Sequence, residues 1–208
     1  MDRVTVRFDE IGKRYDRRVV LRGVSGSAGP GRVLLVTGPN GSGKSTLLHI
    51  LCGLLRPTRG AVSHRAGEEE VERSEWRRHL GVVAPSMSVY GELSALENLR
   101  FFARVRGLED PEAVCRDCLV EVGLEPDRET PAAGFSTGML QRLKIAQAVL
   151  HRPAVVVLDE PGSNLDPAGH DWLEAWVRNA AAEGRTVILA TNDSREMTWG
   201  DDRVALAG

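Results

Sequence analysis

At the start of the chain, Val4-Thr5-Val6-Arg7-Phe8 alternates apolar with polar side chains, the two-residue period of a half-buried strand. Farther on the pattern changes to short, nearly continuous apolar runs at Arg32–Thr37, Leu80–Ala84, Ala154–Leu158 and Thr186–Thr191. Runs of about four to six apolar residues bounded by turns predict strands of a sheet covered on both faces. The turn cluster Gly26-Ser27-Ala28-Gly29-Pro30-Gly31 precedes the first of them. A helix is expected from about Lys44 to Leu55, broken by Pro57-Thr58-Arg59-Gly60.

Between about residues 86 and 152 helical spacing takes over. Ser94-Ala95-Leu96-Glu97 reads as a capping box, with the Ser94 hydroxyl and Glu97 carboxylate each satisfying a free N–H. Leu96, Leu99, Phe102 and Ala103 continue that helix toward Gly107. A second helix runs from the Asp110-Pro111 start to Gly123, and a third from about Ser136 to His151. On the helix after Pro167, Trp172 and Trp176 stand four apart beside Leu173 and Val177 and are expected on its core face. The prediction is an α/β core with a helical subdomain inserted between two of its strands.

Composition narrows the function more than the fold. The 208 residues are 42% hydrophobic and 27% charged, enough for one domain with a proper core. Lys and Arg number 27 against 29 Asp and Glu, so there is no basic face for nucleic acid and no such partner is expected. The longest apolar run, Ala154–Leu158, is far short of the roughly 20 residues of a membrane-spanning helix. Met1-Asp2-Arg3-Val4 lacks the apolar stretch of a secretory leader, and the chain is expected in the cytoplasm. Cys115 and Cys118 have C-x-x-C spacing, but no second pair completes a metal site, so buried thiols are expected there. Glu68-Glu69-Glu70 reads as a solvated loop or helix start.

The chemistry is concentrated in two places. Gly38-Pro39-Asn40-Gly41-Ser42-Gly43-Lys44-Ser45 satisfies G-x-x-x-x-G-K-[ST] between an apolar strand and a helix. Its glycines let backbone N–H groups turn toward phosphate oxygens, and the helix beginning near Lys44 adds its positive end. Lys44 supplies a point charge to the β- and γ-phosphates, and the Ser45 hydroxyl is the expected Mg²⁺ ligand. His49, behind this loop, is expected as a packed side chain. The run ending at Leu158 delivers Asp159, fitted to hold Mg²⁺, and Glu160, placed to polarise water as general base. These residues alone imply an ATP- or GTP-dependent protein.

Phe135-Ser136-Thr137-Gly138-Met139-Leu140-Gln141-Arg142 resembles the signature motif of the ABC ATPases, with Thr and Met in two variable places. Ser163-Asn164-Leu165-Asp166 looks like their D-loop, and Tyr15 stands where they place an aromatic against adenine. The resemblance covers essentially the whole chain. It implies a single nucleotide-binding domain over 1–208: a phosphate-loop core with a mixed sheet, an N-terminal antiparallel β subdomain and the inserted helical subdomain. It also implies a head-to-tail dimer, with a copy of itself or another ABC ATPase, around two ATP molecules. Asn40, Gly41, Ser42, Gly43, Lys44, Ser45 and Thr46 would bind nucleotide from one subunit, while Ser136 and Gly138 would cap the γ-phosphate from the other.

Two positions depart from that family's pattern. Aligning Glu97-Asn98-Leu99 with its usual E-N-[LIV] puts the Q-loop glutamine at Pro85, beside Ser86. The switch histidine falls at Asn192, which can donate a hydrogen bond but carries no charge near pH 7. With Glu160 retained, slow hydrolysis is expected. The resemblance includes the haem-exporter ATPase and multidrug-type ATPases with separate permeases. It implies an integral membrane permease as partner, contacted through Pro85–Tyr90 and the helical subdomain on the inner face of the cell membrane. A non-transport ABC ATPase and an ATP-dependent clamp are the other readings.

Overall fold

The computed structural model describes residues 3–125 and 127–207. Met1 and Asp2, on which the leader reading partly rests, lie outside the described residues, as do Pro126 and Gly208. Two sheets organise the chain. The first comprises β1 (Val4–Tyr15), β2 (Arg18–Ala28), β4 (Arg59–Ala66) and the two-residue β5 (Glu69–Glu70), in the order β2-β1-β4-β5 and antiparallel throughout. The second comprises β3 (Val33–Thr37), β6 (Leu80–Val83), β7 (Val155–Asp159), β8 (Thr186–Thr191) and β9 (Asp202–Ala205), in the order β6-β7-β8-β3-β9. Every pair in that second sheet is parallel. The expected mixture of strand directions is thus divided between two sheets, antiparallel in the N-terminal one and parallel in the core.

Strands β3, β7 and β8 are buried at every position, as the apolar runs predict. Successive side chains of a strand point to opposite faces. Val33, Leu35, Val156, Leu158, Val187 and Leu189 accordingly join a cluster with the helical segment, while Leu34, Val36, Val155, Val157, Ile188 and Ala190 join one with the N-terminal sheet. At about 1.5–3 kcal/mol per fully buried large aliphatic side chain, these two faces dominate what holds the core together.

Several boundaries differ from the sequence reading. Helix α1 (Lys44–Leu51) stops a turn before Leu55, because the amide of Leu54 turns back to His49 O at 2.9 Å. Strand β2 runs through the first half of the expected turn cluster. Gly26 sits opposite Phe8, and a Cβ there would come within 2.7 Å of the Phe8 ring, so this glycine serves a close approach within the sheet. Arg59 and Gly60, read as helix breakers, also open β4. Glu69 and Glu70 form the edge strand β5, a correction to the loop or helix start expected there. His49 is exposed, a correction to the packed side chain expected, because the buried side of α1 is carried by Leu47, Leu48, Ile50 and Leu51.

The helical segment comprises α2 (Ala95–Val105), α3 (Pro111–Glu121) and α4 (Thr137–Val149). The capping box at Ser94 forms on both sides, Glu97 N to Ser94 Oγ at 3.2 Å and Ser94 N to Glu97 Oε2 at 2.8 Å. Leu96, Leu99, Leu119, Leu143 and Val149 bury against one another and against the core sheet. Cys115 and Cys118 are buried thiols, and Cys118 Sγ donates to Ala146 O at 3.3 Å, tying α3 to α4. Burial pushes the Cys115 thiol up to about 11 and the Cys118 thiol higher still, which leaves both unreactive. Helix α5 (Pro167–Ala182) covers the same face of the sheet, with Trp176 buried and Trp172 half-buried under Arg142, 4.6 Å from its ring centroid.

Candidate functional site

The site lies at the C-terminal ends of the adjacent core strands β3, β7 and β8, where parallel sheets present their ligand crevices. Strand β3 ends at Thr37 and leads into the glycine loop, whose Gly41 and Gly43 take left-handed φ values of 81° and 100° that a side chain would resist. The Ser42 amide donates to Pro39 O at 3.2 Å, and α1 begins at Lys44 with its first N–H groups facing the loop. Strand β7 brings Asp159 and Glu160 to the same place.

Lys44 is buried, and its ammonium has three partners: Gly38 O at 2.9 Å, Pro39 O at 3.4 Å and Glu160 Oε1 at 3.0 Å. Glu160 takes a left-handed φ of 49°, uncommon for a residue with a side chain, and its amide donates to Ala190 O at 2.9 Å. Asp159 is buried, and its Oδ1 has no partner. Burial raises the Asp159 carboxyl above its ordinary range, a shift opposed by hydrogen bonding with Ser45 and reinforced by the Glu160 charge. Ser42 Oγ is likewise buried and unpartnered. Orphaned polar atoms in such a place cost stability, about 1–3 kcal/mol each, unless a ligand satisfies them.

Asn192 follows β8 and is exposed; its Nδ2 donates to Asn40 Oδ1 at 2.6 Å, which links the switch position to the phosphate loop. Asn40, Lys44, Ser45, Asp159, Glu160 and Asn192 therefore converge. Gly41, Ser42, Gly43 and Thr46 are the connecting backbone of that same loop and helix start. Tyr15 sits at the end of β1 with nearly half its surface exposed, and Lys13 Nζ lies 5.1 Å from its ring centroid. The neighbouring strand β2 packs on the loop, since a Cβ on Gly43 would meet Val20 and Leu21 at 2.9 Å. Ser136 and Gly138 are not drawn into this cluster. They stand at the start of α4, where Ser136 Oγ accepts from Met139 N at 3.2 Å and the side chain is otherwise exposed. Pro85 and Ser86 are exposed just after β6.

Sequence reasoning missed a polar pocket beside Glu160. A cleft of about 210 Å³ is lined by Glu160, Gly162, His170, Thr191, Asp193 and Glu196 among others. His170 and Glu196 are almost wholly buried, and His170 Nδ1 lies 3.9 Å from Glu196 Oε1. Their signal was masked: His170 shares a helix face with Leu173 and Val177 and reads as core, and Glu196 looks like one more surface carboxylate.

A glycine loop ending in Lys-Ser, with a carboxylate pair at the end of a parallel strand one removed from the strand that enters the loop, defines a nucleotide-binding protein of the phosphate-loop class. The family model described as ABC transporter matches residues 21–163, and the chain belongs to that family. It is 35% identical over 201 residues to an uncharacterized ABC transporter ATP-binding protein of Bacillus subtilis, YdbJ, covering 96% of this chain and 65% of that protein. The chain therefore spans somewhat less than two thirds of that relative. Against the cytochrome c biogenesis ATP-binding export protein CcmA of Aromatoleum aromaticum it is 36% identical, covering 84% of this chain and 82% of the other. Among solved structures, an ATP-binding cassette described as a dimer in a post-hydrolysis state with ADP and Pi has a TM-score of 0.81 at 25% identity, covering 97% of this chain and 94% of that one.

Proposed function

We propose that this chain is the ATP-binding and ATP-hydrolysing subunit of a transporter, working as a head-to-tail dimer on a separate membrane permease. The observation that carries the reading is the convergence of Lys44, Ser45, Asp159 and Glu160 around two buried, unpartnered oxygens. Asp159 Oδ1 and the Ser45 hydroxyl are hard oxygen donors suited to Mg²⁺, and among the described residues no group of three or more His, Cys, Asp or Glu side chains could hold a metal ion by itself. Those two residues would hold the ion, with phosphate oxygens and water completing its shell. Its chemistry is charge neutralisation on the phosphates.

The remaining steps belong to the chain itself. Residues 40–46 wrap the phosphates with backbone N–H groups and the start of α1. Lys44, held by Glu160 and two loop carbonyls, exchanges those partners for β- and γ-oxygens. That exchange frees Glu160 to accept the proton of the attacking water as its oxygen bonds to the γ-phosphorus and the bond to ADP breaks. Asn192 donates to the γ-phosphate without supplying a charge. Losing one such hydrogen bond costs ~10²–10³ in rate where it acts in the transition state, and with Pro85 and Asn192 in place of the family's glutamine and histidine hydrolysis is expected to be slow. Tyr15 offers an open ring face for adenine.

Ser136, exposed, and Gly138, half-buried, stand at a helix start and are suited to cap phosphate from a second cassette, a copy of this chain or a related ATPase. The related cassette solved as a dimer with ADP and Pi supports that arrangement. An exposed aromatic pair, Tyr90 and Phe101 with ring centroids 5.4 Å apart, flanks the Pro85–Tyr90 loop and supports permease docking there. No helix among the described residues is long and apolar enough to cross a membrane, in keeping with peripheral attachment at the inner face.

Affinity capture of the Glu160→Gln chain with Mg-ATP from its native cells tests the reading. Recovery of a polytopic membrane protein is expected. Recovery of soluble partners alone would overturn the transport half of the proposal.

A further inference from the structure

Away from the phosphate site, one end of the N-terminal sheet collects cations that nothing in the chain neutralises. The β1–β2 hairpin closes at the pair Tyr15 and Arg18, and the segment after α1 is lashed to it. Lys13 Nζ donates to Arg56 O at 2.8 Å, Arg14 N to Thr58 Oγ1 at 3.1 Å and Thr58 N to Gly12 O at 2.7 Å. Gly60 permits the approach, since a Cβ there would strike the Asp9 and Glu10 carbonyls. Residues 10–23 and 54–60 together carry seven Lys and Arg against two acids, Glu10 and Asp16. Lys13, Arg14, Arg22 and Arg59 line a cleft of about 380 Å³, with Glu10 as its one carboxylate and Val19 and Leu21 as its apolar wall. No residue of the phosphate loop lines it, and none of the four cations has an ion-pair partner among the described residues. Beside Tyr15, whose ring is assigned to adenine, Val19 on the hairpin and Leu54, two residues before Arg56, are 41% and 66% exposed.

We propose that this hairpin end is a membrane-docking surface, its Arg14, Arg22 and Arg59 side chains seated on the phosphates of anionic lipid. Like charges held this close repel one another until an anion is brought to them. Guanidinium groups grip phosphate oxygens through paired N–H bonds, which suits a surface of phosphodiesters. The exposed Val19 and Leu54 favour a bilayer, because at its interface the phosphates lie next to the first acyl carbons. A nucleic acid would instead call for a basic groove along the strand with several aromatic platforms, whereas these cations gather at one hairpin end. The chain's net charge is −2, so attraction to an anionic surface is confined to this end and fixes how the molecule is oriented on it. The choice of a membrane rests on the transport reading, in which a cassette held by its permease works beside a lipid surface.

The test floats the purified full chain, without nucleotide or permease, with vesicles of phosphatidylcholine alone or of phosphatidylcholine mixed with phosphatidylglycerol. Binding is expected with the mixed vesicles only, and it should weaken as salt is raised. A basic side chain at an anionic bilayer raises partitioning about fivefold, so the triple variant Arg14→Gln, Arg22→Gln, Arg59→Gln should bind about a hundredfold more weakly. The counterpart Arg14→Lys, Arg22→Lys, Arg59→Lys keeps the charge and should keep most of the binding. ATP affinity measured by calorimetry should match the parent in both variants, which shows that the sheet is intact. Equal binding to neutral vesicles, undiminished binding by the Gln variant, or no binding to either vesicle would overturn the proposal. Tighter binding of a single-stranded oligonucleotide than of the mixed vesicles would also overturn it, in favour of nucleic acid. The transport reading is tested apart from this, by the Glu160→Gln capture. Vesicle binding by a chain that recovers only soluble partners would overturn transport and keep the lipid surface, and permease capture by a chain that ignores vesicles would do the reverse.

Discussion

The ends of the core strands and the start of α4 are built from similar materials, glycine, hydroxyl groups and a helix N-terminus, yet they stand in opposite conditions. At the strand ends, Lys44 holds Glu160, Ser45 hydrogen-bonds with Asp159, and Asn192 holds Asn40. Buried oxygens of Ser42 and Asp159 are still left without partners. At the start of α4, Ser136 is exposed and its hydroxyl serves only as a cap for its own helix. The first region is a concentrated, unsatisfied phosphate site. The second is a bare surface whose chemistry makes sense when a phosphate is brought to it from another molecule.

The largest effect should come from the strand-end cluster. Glu160→Gln removes the proton acceptor and should reduce single-turnover hydrolysis by ~10²–10⁴, while nucleotide binding measured by calorimetry persists. A parent-like rate in that variant would relocate the general base. Asn192→His sharpens the same side of the comparison. Restoring a chargeable donor should raise the single-turnover rate, by as much as ~10²–10³ if the donor acts on transition-state charge. An unchanged rate would show that position 192 carries little of the barrier. The smallest effect belongs to the helical segment. Ser94→Ala removes the hydroxyl that accepts from Glu97 N, while the arm from the Ser94 backbone N–H to Glu97 remains, and should cost about 1 kcal/mol in denaturant unfolding. Nucleotide affinity should stay unchanged, because that cap is far in the sequence from every phosphate-binding residue.

The strand-end cluster was legible in the sequence because its parts are contiguous. Residues 38–46 form one loop and helix start, and Asp159-Glu160 ends one apolar run, so residue type and spacing define both halves. The core strands were legible for the same reason: continuous apolar runs have few other folded destinations. Strand β2 was obscured because Gly26, which reads as a turn residue, is there to admit the Phe8 ring. Lys44 resting on Glu160, and Asn192 on Asn40, join residues more than 100 positions apart and have no local signature. His170 and Glu196 were hidden more deeply still. Each satisfies an ordinary local pattern, and only the packing of α5 against the turn after β8 makes them a pair.

The central claim is that one cassette supplies the strand-end cluster and a second supplies the start of α4. Sedimentation velocity of the Glu160→Gln chain with and without Mg-ATP, repeated with Ser136→Asp added, tests it most directly. Asp is as good a helix cap as Ser, so the fold is preserved, but its charge would oppose a phosphate. The account predicts an ATP-dependent dimer for Glu160→Gln and a monomer that still binds ATP for the double variant. A dimer that forms equally well in the double variant, or a Glu160→Gln chain that binds ATP and stays monomeric, would contradict it.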